Sequence, residues 1–114
     1  MELNIIKSKI DELARGDQEF AQKFAEMSIH DLGAFPKTAA EALSKRDLKK
    51  LSFANHQMKT LIGLFQLNAL GALLENSLEL FEKGDLEKKE FLANVEKEIE
   101  AAVKLIKQAV SHPL

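Results

Sequence analysis

Leu51-Ser52-Phe53-Ala54-Asn55-His56-Gln57-Met58-Lys59-Thr60-Leu61-Ile62-Gly63-Leu64-Phe65 divides into two faces when it is wound as an α-helix. At about 100° per residue, Leu51, Ala54, Met58, Leu61, Ile62 and Phe65 fall within roughly 60° of Met58, and His56 lies about 160° away. The apolar arc is the signature of a helix packed on one side, so the histidine points at water. Lys49, Ser52, Phe53, Thr60 and Gly63 share that outer face, with Lys59 on its flank. The imidazole therefore sits beside a cation, a hydroxyl and a residue with no side chain, open to approach by another protein.

Outward from this segment the chain reads as helix almost throughout. It has five glycines and two prolines, and no alternating Val, Thr or aromatic runs of the kind strands use. The fold class is all-α. A first helix is predicted from about Glu2 to Ala14, stopped at Arg15-Gly16 where glycine can take the left-handed cap conformation. Asp17 is the N-cap of the next helix, which spans about Gln18 to Lys45. Gly33 and Pro36 interrupt it, and an interior proline removes a backbone donor, so a kink or break is expected near residues 31 to 36. Asp47 caps the His56 helix, which reaches Phe65 or Gln66. After a turn at Gln66-Leu67-Asn68, a fourth helix presents Leu70, Leu73, Leu74, Ser77, Leu78 and Phe81 inward. Gly84-Asp85 repeats the stop-and-cap signal of Gly16-Asp17. The last helix then carries Leu92, Val95, Ile99, Ala102, Val103, Ile106 and Val110 at spacings of three and four. Its Glu- and Lys-rich opposite face is a solvated one. Short connections between helices of similar length favour antiparallel neighbours and an up-and-down bundle.

The 114 residues make one domain with a single core. With 46% hydrophobic and 30% charged residues the composition is that of a folded chain rather than a disordered one. A net charge of -2, with basic residues interleaved among acids, argues against nucleic acid as a partner, because phosphate neutralisation needs clustered Lys and Arg. There is no cysteine, which excludes disulfide and thiol chemistry. The amino-terminal residues lack a basic region followed by a long apolar run, and no membrane-length apolar stretch occurs anywhere; a soluble cytoplasmic protein is the expectation. His30, His56 and His112 are far apart and none has a second histidine at ligand spacing, so no metal site is expected. His30, beside Asp31, and His112, in Ser111-His112-Pro113-Leu114, read as exposed or capping residues. Met27, spaced with Phe20 and Phe24, reads as core. No phosphate loop, nucleophile elbow or metal-binding helix motif is present.

His56, two residues, Lys59 and then Thr60 follow the pattern of histidine, two residues, lysine and a small residue. From about Asp17 to Lys107 the chain resembles the histidine-containing phosphotransfer (HPt) family of phosphorelays, in which a four-helix bundle displays a phospho-accepting histidine. Apolar Met58 between the two polar residues, the leucine-rich helix from Leu67 and the Gly84-Asp85 opening of the closing helix fit as well. The resemblance implies a bundle core at about residues 17–110, antiparallel and up-and-down, with the first helix as an addition. It implies a phosphocarrier rather than a stand-alone enzyme: His56 accepts the phosphoryl group, Lys59 stabilises it, and Ser52, Phe53, Thr60 and Gly63 make the surrounding binding face. The implied partners are receiver domains of response regulators or of a hybrid sensor kinase, which bring the aspartate and a divalent metal such as magnesium. No cofactor is then expected on this chain, which would act as a monomer. The sequence departs from the family in three places: Thr60 stands where glycine is commoner, Gln66 where a glycine often precedes the next helix, and Leu78 where many members place a glutamine or similar polar group.

The residues themselves are suited to that chemistry. A neutral imidazole has one nitrogen lone pair able to attack phosphorus, and its reference pKa near 6.5 leaves that form abundant at neutral pH. A phosphoryl group adds negative charge that a lysine three residues on can meet as a compact point charge. Gly63, a further turn on, removes bulk where a partner aspartate must approach. Phe53 on the outer face suits a docking surface; its alternative place is beneath the amino-terminal helix or the kink near Pro36. The rival function is a helical adaptor or dimerisation module without phosphotransfer, a reading to which Leu78 and Thr60 lend support.

Overall fold

The computed structural model describes residues 2–84 and 87–111. The described residues form five α-helices and no strand: α1 (Glu2–Ala14), α2 (Gln18–Ser44), α3 (Leu48–Phe65), α4 (Asn68–Lys83) and α5 (Lys88–Ser111). The expected Asp85 cap and the reading of His112 fall outside the described residues. None of the described helices is long and apolar enough to cross a membrane.

Side-chain capping sets two of the helix starts. The Asp17 carboxylate accepts from the Phe20 amide at 3.0 Å and the Asp47 carboxylate accepts from the Lys50 amide at 3.0 Å, each satisfying one of the orphan donors of a first turn. The stops are left-handed. Gly16 (φ 86°) and Gly84 (φ 75°) adopt this conformation, and so do Arg15 (φ 49°), Arg46 (φ 52°) and Gln66 (φ 54°), where a Cβ makes it costly. Gln66 thus takes the backbone shape that a glycine would supply at the end of α3, and its amide donates to the Ile62 carbonyl.

Contacts run from α2 to α3, α3 to α4, α4 to α5 and α5 back to α2, while α1 lies against α5, α2 and α3. The ends of the elements identify their directions. Lys50 near the start of α3 meets Glu41 near the end of α2 at 2.6 Å, and Phe65 at the end of α3 meets Phe24 near the start of α2, ring centroids 6.0 Å apart. Lys88 at the start of α5 donates to Ser44 at the end of α2 at 2.6 Å. A Cβ on Gly71 of α4 would come within 3.1 Å of Ile62, so α3 and α4 approach closely there. The core joins Ile6 and Ile10 of α1, Leu32, Phe35 and Ala39 of α2, Leu51, Met58 and Phe65 of α3, Leu70 and Leu74 of α4, and Phe91, Val95, Ile99 and Ile106 of α5.

Two expectations are corrected. The break expected near residues 31 to 36 does not occur: helix α2 runs continuously through Gly33 and Pro36. Proline deprives the Leu32 carbonyl of its donor, but Leu32, Phe35, Ala39 and Ala42 are all buried, and packing on both sides of the proline offsets the lost hydrogen bond. Met27 is not core; the residue is 57% exposed. The buried stripe of α2 is instead Ala25, Ser28, Leu32, Phe35, Ala39 and Ala42, rich in small residues that let neighbouring helices come close. Phe20 and Met27 are left on the margin, and only Phe24 bridges inward, stacked on Phe20 at 6.1 Å and tilted against Phe65. In α5, Phe91 and Ala109 are buried as well, beyond the stripe read from spacing.

Candidate functional site

Helix α3 carries the whole candidate site. Leu51, Ala54, Met58, Leu61 and Phe65 are buried, which fixes the rotation of the helix about its axis. Ser52, Phe53, His56, Lys59, Thr60 and Gly63 are all exposed. Phe53 is 64% exposed, so it lies neither beneath α1 nor against α2 at Pro36. His56, Ser52 and Phe53 line one shallow depression together with Leu48 and Lys49. That grouping follows from helix geometry, because a helical side chain leans toward the amino terminus and covers the preceding turn. The imidazole thus overlies Ser52. Lys59, Thr60 and Gly63 are not part of the depression; they continue the same exposed face beyond the histidine. A Cβ on Gly63 would meet nothing within 4 Å, so the surface there is open.

The charge of α3 is one-sided. Its sequence holds Lys49, Lys50 and Lys59 and no Asp or Glu, whereas every other described helix carries acidic residues. Lys50 is engaged with Glu41, which also receives Lys45 at 2.9 Å. The Lys50 hydrogen bond first, and then that of Lys45, lowers the Glu41 carboxyl to about 2. Lys49 and Lys59, on either side of His56, form no ion pair among the described residues.

Behind His56 the helix is tied to α4 by a polar contact that the sequence did not disclose. Asn55 is 7% exposed. Its Nδ2 donates to the Leu74 carbonyl at 3.2 Å and to Ser77 Oγ at 3.1 Å, and the Ser77 hydroxyl donates to the same carbonyl at 2.7 Å. Asn55 Oδ1 is buried with no hydrogen-bond partner. Ser77 is therefore committed to Asn55 rather than to the histidine. Leu78 is half-buried against the core and Asn76 is exposed. The only sequence signal for the tether was a polar residue at the margin of the apolar arc of α3. Among the described residues no group of His, Cys, Asp and Glu could hold a metal ion.

No family model matches the chain, and neither a curated protein nor a solved structure matches it.

Proposed function

We propose that this chain is a histidine phosphotransfer protein that carries a phosphoryl group on His56 between the aspartates of receiver domains. The observation that carries the reading is the placement of His56: an exposed imidazole on a helix locked from behind, sharing a depression with exposed Phe53. In the same reading the cyclic contacts of α2, α3, α4 and α5 are those of an antiparallel up-and-down four-helix bundle within a single domain, with α1 as an additional helix. The protein is a cytoplasmic monomer.

Transfer uses few groups of this chain. One ring nitrogen of His56 attacks the phosphorus of an aspartyl phosphate; the new P–N bond forms as the P–O bond to the aspartyl carboxyl breaks. The carboxylate leaves with the bonding pair, and the second ring nitrogen keeps its proton until solvent takes it. The reverse sequence delivers the group to the next aspartate. Lys59 offsets charge on the phosphoryl oxygens, Gly63 keeps the approach low, Thr60 borders it, and Phe53 supplies apolar contact to the incoming domain. The divalent metal belongs to the receiver, whose aspartate it serves.

The test is incubation with phosphorylated receiver domains and magnesium. Acid-labile, alkali-stable phosphate on the wild-type chain and none on His56→Gln is the expected result. Labelling that persists in His56→Gln overturns the assignment of the site. The second reading, an adaptor or dimerisation module, draws on Phe20 and Met27, which are exposed on α2 rather than on the helix of the histidine. It is the one left standing if no receiver labels the chain.

A further inference from the structure

We infer that Lys49 is a second phosphate-holding cation of the His56 site, acting with the Ser52 hydroxyl on the side of the ring opposite Lys59. Phosphotransfer at His56 is the reading on which this role rests. Three observations meet in it. Lys49 and Ser52 line the depression that His56 lines, whereas Lys59 does not. Lys49 makes no ion pair among the described residues, while its neighbour Lys50 is engaged with Glu41. Helix α3 has no carboxylate of its own to compete for the ammonium.

Helix geometry supplies the rest. Residues 49, 52 and 56 follow the spacing of three and four that stacks side chains on one face. The His56 ring leans toward the amino terminus, so a phosphoryl group on its leading edge hangs over Ser52; the Lys49 stem leans the same way, away from the ring, and meets the group by turning back along the helix, which its flexible four-carbon length allows. Lys59 leans the same way and approaches the ring from behind. The phosphoryl group is then bracketed by two ammonium groups with a hydroxyl beneath it. A single lysine leaves one side of the dianion to water.

Phosphoramidate is the probe, because it loads the histidine without a receiver: the ring nitrogen forms its P–N bond as the P–N bond to the amine breaks, and the amine takes up a proton and leaves as ammonia. Phosphorus NMR of the loaded protein is followed as a function of pH for wild type, Lys49→Ala, Lys49→Arg and Lys59→Ala, with circular dichroism as a check on folding. Removing Lys49 is expected to raise the second ionisation of the phosphoryl group by a few tenths of a pH unit, the scale of an exposed ion pair. Arginine in its place is expected to restore the wild-type titration, and Lys59→Ala to shift it in the same direction. In transfer from a receiver, Lys49→Ala is expected to move the equilibrium away from phosphohistidine by about two- to fivefold.

A wild-type phosphorus titration that is unchanged in Lys49→Ala overturns the role of Lys49 and leaves phosphotransfer standing. A shift that Lys49→Arg does not restore also overturns it, since the effect then comes from something other than the charge. A wild-type chain that takes phosphate from neither phosphoramidate nor a receiver removes both the role and the reading beneath it.

Discussion

His56 faces water because Leu51, Ala54, Met58 and Phe65 hold the opposite face of α3 in the core, and its neighbours three and four positions away, Ser52, Phe53, Lys59 and Thr60, are exposed with it. Replacing an exposed side chain usually changes stability by less than about 0.5 kcal/mol. His56→Gln is accordingly expected to abolish phosphate incorporation with an unchanged melting temperature, and Lys59→Ala to slow transfer without ending it. Calorimetry beside a labelling time course checks both; a mutant that loses its fold contradicts the placement of the ring. Phe53 makes a separate prediction. A large side chain buried in a complex contributes about 1.5–3 kcal/mol, so Phe53→Ala is expected to weaken receiver affinity by roughly ten- to a hundredfold while leaving the isolated protein as stable as before. Titration calorimetry with a receiver and a thermal melt decide it, and normal affinity would move the docking surface elsewhere. At this scale the outer face was legible from spacing alone, since winding the sequence around Met58 already separates His56 and Phe53 from the core. Asn55 was not. Its burial depends on Ser77 and the Leu74 carbonyl, partners that no local periodicity identifies.

Beside the core it shares with its neighbours, α3 has a polar tie to α2 at the surface and another to α4 in the interior. The interior tie is Asn55. Asn55→Asp puts a carboxylate beside the Leu74 carbonyl, with only the Ser77 hydroxyl able to turn and donate to it, and a buried charge so poorly compensated costs about 3–5 kcal/mol. A large loss of urea resistance is expected at neutral pH. It recovers in part on acidification, as the protonated carboxyl regains a donor; equal resistance of mutant and wild type at pH 7 would show that the contact does not hold the helix. The surface tie is Glu41 with Lys50, and Glu41 also meets Lys45 at the end of its own helix. Because its carboxyl is lowered to about 2, its contribution is complete above the ordinary carboxylate value of 4.5 and is lost as pH falls from there toward 2. Glu41→Gln is expected to flatten the acid limb of the stability curve in that window. High salt is expected to mimic it, since both partners are solvent-accessible and screened. Acid melts of the two proteins in low and high salt measure this; identical acid limbs contradict it. Helix limits were legible where capping chemistry is local, at Asp17 and Asp47. The exposure of Met27 was not legible, because the small residues Ala25, Ser28, Ala39 and Ala42 are part of the packed stripe of α2 and spacing rules weight large apolar residues more heavily; at Pro36 burial on both sides of the proline offsets the lost hydrogen bond, which the local rule for proline does not include.

Over the whole molecule, 49 × 23 × 18 Å in extent, the helices form a rod whose interior is closed by the cycle of contacts from α2 to α5 and whose exposed α3 face is basic. The all-helical class was legible because nothing in the chain favours strands. Successive helices as neighbours were legible from the short connections between them, and α2 meets α3, α3 meets α4 and α4 meets α5; the seat of α1 against α5, α2 and α3 was not, because an amphipathic stripe states that it is buried and says nothing of its partner. A carrier has to give up its phosphoryl group as readily as it takes it, so labelling alone tests half of the reading. The most direct measurement of the whole is a relay: one receiver domain is loaded with labelled phosphate, a second is supplied unloaded, and label on the second is followed with this chain present in small amounts. The account predicts that label reaches the second receiver when the wild-type chain is present, passes transiently through His56, and stays on the first receiver when the chain is absent or carries His56→Gln. Label that moves equally well with His56→Gln, or that never leaves the first receiver for any of the partners tried, would contradict it.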